Sequence, residues 1–266
     1  MKKITLLLLS VIFLLGVTAC GSEKSSSTAP SVDELLANSM KANKEVKSLS
    51  QEATVNTKIT VSQGETKQEQ NMDITTKADI INEPFKARQE IKMPVSEMGE
   101  QTIIQYLTEE GIYSNINGQW VKVPDEVNEQ FKTSIKESAN LDSQIEQFKS
   151  MSKYLKLKEE KEQYVLTGDI PGESIKEMAQ TILEKAASGN TETLAAMEQL
   201  DIKSMNLVYT FNKKTSLPIS TVVKLQMGME QDGQKVDMDL KMNSKFSNFN
   251  GVDDITVPKE ALNSTN

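Results

Sequence analysis

The reactive side chains are few. The chain of 266 residues holds one Cys and no His. Without an imidazole, neither a Ser-His-Asp nor a Cys-His arrangement can form, nor can a His-ligated metal site. A single Cys excludes an internal disulfide and a thiolate zinc cluster. Carboxylates remain: Glu109-Glu110, Asp237 with Asp239, and Asp253-Asp254. Paired carboxylates can hydrolyse glycosides, but no aromatic-rich groove flanks these. A Ca²⁺ site needs several converging oxygens, usually around a Gly turn, whereas Asp237 and Asp239 alternate as on the wet face of a strand. Ser and Thr are plentiful, yet no G-x-S-x-G or S-x-x-K motif stands in a catalytic context. The expectation is a non-catalytic protein with no metal and no cofactor. With 30 Lys plus Arg against 38 Asp plus Glu, the balance of −8 also argues against nucleic acid as a partner.

Cys20 has a context of its own. Met1-Lys2-Lys3 is a short basic start, and Ile4 to Val17 is an almost wholly apolar run of 14 residues. That is a secretory signal, short of the roughly 20 residues that span a bilayer as a helix. Val17-Thr18-Ala19-Cys20 closes it and resembles the bacterial lipobox, in which the Cys is acylated and the chain is cut before it. Residues 1–19 therefore read as a lipoprotein signal peptide. Residues 20–30 (CGSEKSSSTAP) read as the acylated Cys and a flexible polar tether. Loss of Lys2 and Lys3 leaves 28 basic and 38 acidic side chains, a balance of −10. Such a body is repelled by anionic lipid, so acyl chains at Cys20 must hold it at the extracytoplasmic face of the membrane.

Beyond the tether, hydrophobic periodicity sets the elements. Ser31-Val32-Asp33-Glu34 is a capping box, and Val32, Leu35, Leu36, Met40, Val46 and Leu49 recur at helical spacing, predicting one helix over 31–49. From residue 51 the period becomes two: Ala53, Val55, Thr57, Ile59 and Val61 share one face. A Gly64-Glu65 turn leads to Met72, Ile74, Thr76, Ala78 and Ile80. Pro84 interrupts, and Phe85, Ala87, Ile91 and Met93 resume. Shorter strands follow near 101–109 and 111–116, then an Asn117-Gly118 hairpin turn into 119–123. Helical stripes follow: Val127, Phe131 and Ile135, then Leu141, Ile145, Phe148 and Met151. A hairpin of 155–160 with 164–170 ends at Pro171-Gly172. Ile175, Met178, Ala179, Ile182, Leu183, Ala186 and Ala187 mark a further helix, with 194–200 a shorter sequel. Three long alternating strands finish the chain, carrying Met205 and Leu207, then Val223, Leu225, Met227 and Met229, then Val236, Met238, Leu240 and Met242.

Strands with one apolar face, joined by short turns, predict an antiparallel meander. The expected fold class is α+β: a single large curved antiparallel sheet of about eleven strands with helices covering its concave apolar face. No linker divides 31–262, which reads as one domain. This order of lipobox, tether, N-terminal helix, meander, helical insertion and three final strands resembles the LolA/LppX-type lipoprotein fold, a half-barrel closed by a helical lid. Asn82-Glu83-Pro84-Phe85-Lys86, with Tyr113 and Trp120 on paired strands, resembles a Gram-positive family of uncharacterised lipoproteins. The resemblance implies a lipid or lipidated partner held between sheet and lid.

The candidate site is therefore an apolar cavity formed by Ile59, Val61, Met72, Ile74, Met178, Ile182, Val223, Leu225, Met227, Met229, Met238 and Leu240. Met is flexible and polarizable and suits varied apolar partners, but the same side chains also serve as core fillers. Two functions stay open. The chain binds a lipid or other hydrophobic ligand, or its core is filled and an exposed surface docks another envelope protein. Tyr113 with Trp120 reads either as a stacking platform or as a pair pinning a hairpin.

Overall fold

The computed structural model describes residues 29–95, 99–124, 133, 140–178, 200–231 and 233–264. The first element is α1 (Val32–Asn43), capped as its sequence demands: Glu34 N–H donates to Ser31 Oγ at 3.2 Å, and Ser31 N–H to the Glu34 carboxylate at 2.7 Å. The helix stops at Asn43, six residues short of the predicted end. Val46 and Leu49 are buried, but as extended chain. Asn82 ties this stretch to the sheet, its backbone N–H donating to Lys47 O (2.8 Å) and its side chain to Val46 O (2.6 Å). Leu49 then enters a strand opposite Ile80. Their spacing mimicked a helical stripe by coincidence.

Eleven strands follow: β1 (Ser48–Gln63), β2 (Thr66–Ile81), β3 (Lys86–Val95), β4 (Gly99–Thr108), β5 (Gly111–Ile116), β6 (Gln119–Lys122), β7 (Leu155–Glu159), β8 (Gln163–Pro171), β9 (Asp201–Asn212), β10 (Pro218–Gln231) and β11 (Gln234–Ser247). They form one antiparallel sheet in the order β6-β5-β4-β3-β2-β1-β11-β10-β9-β8-β7. Two meanders, β1–β6 and β7–β11, are thus joined by the pairing of β1 with β11. Among the described residues β6 and β7 are the two edges and the sheet is open, the half-barrel α+β architecture expected of the sequence. The Asn117-Gly118 turn has φ of 53° and 87°. That is the conformation two-residue hairpins require and Asn-Gly supplies.

Among the helices, α2 (Leu141–Ser150) follows β6, residues 172–178 form α3 after β8, and α4 (Lys259–Leu262) lies near the C-terminus. The predicted stripes at Val127–Ile135 and Ala179–Ala187 and the sequel at 194–199 lie outside the described residues. The face turned toward α1 and α2, the inner face, carries the core. Leu49, Ile80, Ala87, Leu107 and Ile112 form one cross-strand row on it, all buried. Tyr209, Phe211, Leu207 and Leu166 bury the β8–β9 side, with the Phe148 ring of α2 edge-on to Tyr209 at 5.3 Å. Each such aliphatic or aromatic side chain stabilises the fold by about 1.5–3 kcal/mol. Leu35 and Leu36 of α1 and Leu141 and Ile145 of α2 are buried as well. Among the described residues, no helix is long and apolar enough to cross a membrane.

Candidate functional site

Successive rows of paired residues cross the inner face. Beyond the buried row at Leu49 comes Gln51, with Ala78, Gln89, Gln105, Ser114 and Val121 in line across β2 to β6. The next row runs Ala53–Thr76–Ile91–Ile103–Ile116 on one side and Ser244–Thr221–Tyr209–Leu166 on the other. Four apolar rows follow. They are Ile74–Val55–Met242–Val223–Leu207, Met72–Thr57–Leu240–Leu225–Met205, Ile59–Met238–Met227–Ile202, and Val61–Val236–Met229.

This register puts ten of the predicted site residues on one face: Ile59, Val61, Met72, Ile74, Val223, Leu225, Met227, Met229, Met238 and Leu240. All ten are half-buried, whereas the row at Leu49 is sealed. Met178 lies on α3, half-buried, with its sulfur accepting from Ser150 Oγ at 3.6 Å. Ile182 and Cys20 lie outside the described residues.

The face also holds a feature that hydrophobic periodicity passes over. Gln89 Nε2 donates to Gln105 Oε1 at 2.5 Å, and Gln105 Nε2 to Ser114 Oγ at 3.1 Å, a polar ladder between the sealed row and the apolar rows. The signal was present in the sequence, since Gln51, Gln89 and Gln105 all occupy apolar-phase positions of their strands. In the row beyond, the Tyr209 and Thr221 hydroxyls are buried without a hydrogen-bond partner. Burial pushes the Tyr209 phenol well above its ordinary range; the Thr221 hydroxyl opposite offsets this in part without reaching hydrogen-bond geometry.

Of two clefts, one lies away from the apolar rows, and the other includes Thr57, Leu225 and Leu240 of those rows in its lining. One of about 430 Å³ opens between α1, the Asn82–Phe85 turn and the start of α2, where Asn43 and Asp142 each keep buried polar atoms without a partner. The other, about 570 Å³, is lined chiefly by outer-face side chains, among them Lys224, Lys241, Asp73 and Asp239. The acidic pairs do not converge: Asp237 and Asp239 stand on the outer face of β11, and Asp253-Asp254 follow the sheet. Nor is Tyr113–Trp120 an open platform. Tyr113 is buried under Val257 and Ala261, and the Trp120 ring lies 5.9 Å from Tyr106.

Residues 31–266 match the model of a family of unknown function, DUF6612. The chain belongs to that family. Among solved structures, this DUF6612 chain is similar to a DUF1329 family protein from Desulfovibrio piger, at 8% identity over 83% of this chain and 92% of that one, with a TM-score of 0.24. It is also similar to the LolA superfamily protein NE2245 from Nitrosomonas europaea, at 10% identity over 82% and 94% of the two chains, TM-score 0.18. A β-barrel-like protein of family DUF1849 from Brucella abortus shares 9% identity over 75% and 99%, TM-score 0.23. No curated protein matches the sequence.

Proposed function

We propose that this DUF6612 chain is a lipoprotein held at the extracytoplasmic face of a bacterial membrane by acylated Cys20. There it binds a lipid or other hydrophobic ligand against the inner face of its sheet, without covalent chemistry. The observation that carries the binding is the register. Ten apolar side chains on four strands fall into adjoining rows, and they stay half-buried where the Leu49 row, three rows away, is sealed. A contiguous apolar surface of that kind is what a ligand site offers. The many Met side chains let it accept acyl chains of differing shape. The anchor rests on the signal and lipobox pattern ending at Cys20.

Two measurements test the reading. Mass spectrometry of organic extracts from the natively purified full chain is expected to find a lipid near one per chain, absent from a Val223→Trp/Met227→Trp variant that keeps its thermal stability. No lipid in either protein, with both equally stable, would turn the reading toward docking of another envelope protein. No lipid with only the variant unfolded would make these positions packed core. For the anchor, Cys20→Ser is expected to remove the acyl mass increment and the chain's hold on the membrane fraction. An unmodified Cys20 in the mature protein would end that part of the proposal.

A further inference from the structure

Charge is sorted between the two faces of most strands, Glu159 of β7, opposite Tyr164 at the far edge, being an inner-phase exception. On β1 to β6 the inner-phase positions, fixed by the pairing, hold only apolar, Gln, Ser, Thr and Gly residues, and the same is true of β10 from Thr221 and of β11. Every Lys, Arg, Asp and Glu of these strands takes the alternate phase. The helices agree, for the residues that α1, α2 and α3 bury are, among the described ones, uncharged: Leu35, Leu36, Ser39, Asn43, Ile145 and Ile175 among them. In a chain that is 26% charged, hydrophobic packing alone does not require this on a half-open face. Long charged side chains tolerate half-burial by extending their heads to water.

The polar groups that do stand there are amides and hydroxyls with spare capacity. Gln89 and Gln105 each spend one N–H in the ladder, which ends at Ser114 Oγ. Gln51 completes the row, two strands from Gln89. The apolar rows begin two rows further on, roughly 13 Å along the strands. A phosphate or carboxylate brought to this row would lose water without meeting a cation from β1–β6, at a cost of several kcal/mol. An ester, amide or hydroxyl would exchange water for amide partners at little cost.

Resting on the lipid-binding reading above, we infer that the ligand is a neutral amphiphile: its apolar part lies on the Met-rich rows, and an uncharged ester-, amide- or hydroxyl-bearing part meets the Gln51–Gln89–Gln105–Ser114 row.

The test uses two probes that differ only by a phosphate, a diacylglycerol and a phosphatidic acid with the same diazirine-bearing acyl chains. Each is mixed into phosphatidylcholine vesicles holding the full chain, photolysed, and its adducts are mapped by mass spectrometry. Diacylglycerol is expected to label the β10 and β11 peptides at least roughly tenfold more than phosphatidic acid does. Gln89→Leu/Gln105→Leu should cut diacylglycerol labelling roughly fivefold, the value of about one hydrogen bond. Gln105→Lys should instead raise phosphatidic acid labelling, a gain that a misfolded variant cannot produce. Equal labelling by the two probes would overturn the neutral-ligand inference while leaving lipid binding intact. So would a Gln105→Lys chain that is folded yet indifferent to phosphatidic acid. Labelling of β10 and β11 by neither probe would remove the lipid-binding reading itself.

Discussion

Ile59 and Met238 stand directly opposite each other on β1 and β11, the pairing that joins the two meanders into one sheet. Both are half-buried, although they lie at the middle of an eleven-stranded sheet. A central position therefore does not here mean a sealed one. The inner face grades from closed at the Leu49 row to half-open at the rows through Leu240 and Met238.

That gradient makes a stability prediction on neighbouring strands. Leu207 on β9 is 1% exposed, while Leu225 on β10, one row further along, is half-buried. Leu207→Ala should cost about 2–5 kcal/mol, the range for a fully buried Leu. Leu225→Ala should cost under about half as much, because less area leaves contact and the gap opens to solvent. Urea unfolding of both variants measures the difference. Equal losses would mean that the Met-rich rows are ordinary core.

Close backbone approach fixes one glycine. A Cβ on Gly172, where β8 passes into α3, would lie 1.5 Å from Ile202 O and 2.4 Å from its carbonyl carbon on β9. No side-chain motion relieves a clash with backbone. Gly172→Ala should destabilise the chain by about 3 kcal/mol or more, the upper range for overpacking. Gly168→Ala is the milder comparison, its nearest contact being the movable end of Leu155 at 2.5 Å. The expected order of thermal midpoints is wild type, then Gly168→Ala, then Gly172→Ala.

Gly228 allows a contact across an intervening strand. It lies opposite Asp237, and with no side chain in the way Lys203 of β9 reaches over β10 to the Asp237 carboxylate at 2.7 Å, while Lys235 reaches it at 3.1 Å. The hydrogen bond from Lys203, then that from Lys235, holds the Asp237 carboxyl below its usual value of 3.8. A depressed carboxyl stabilises the fold above its unfolded-state pKa and loses that contribution as pH falls through the lower folded value. The window is therefore below pH 3.8. Lys203→Met should flatten the acid limb of the stability–pH profile and leave pH 7 to 9 almost unchanged, since an exposed ion pair contributes little. Gly228→Val should do the same by blocking the path of Lys203. An acid limb that stays as steep in both variants would assign it to other carboxylates.

The alternation of strands was readable because a sheet wet on one side writes its faces into the sequence with period two. Asn117-Gly118 and Gly64-Glu65 likewise carried their turns openly. Other features were not local. The end of α1 depends on Asn82 and Asn250, far along the chain, which capture the backbone at Val46 and Lys47. Alternation tells which face Met238 takes but not that Ile59 is its neighbour. The Gln ladder was hidden for a simpler reason: Gln at an apolar-phase position reads as a break in a stripe until the register aligns three such breaks.

The C-terminal segment packs on the outer face, and the single Trp reports on it. Val257 and Ala261 cover Tyr113, with Tyr106 and Trp120 against the same cluster, and Lys86 Nζ holds Asp254 at 2.6 Å. Lys86 also keeps the Asp254 carboxyl below its usual value, so the tether should survive acidification through pH 4 and weaken only below it. Ala261→Arg adds a long charged side chain where there is no exposed surface, and should lift the segment and wet the indole. The expected readout is a red shift of Trp120 emission at pH 7, with the inner-face lipid content unchanged because the segment covers the opposite face. In the wild type the same shift should begin only below pH 4, and in Lys86→Met it should begin at higher pH or be present throughout. Emission that ignores both substitutions would mean that the β5–β6 hairpin holds Trp120 in place without the C-terminal segment.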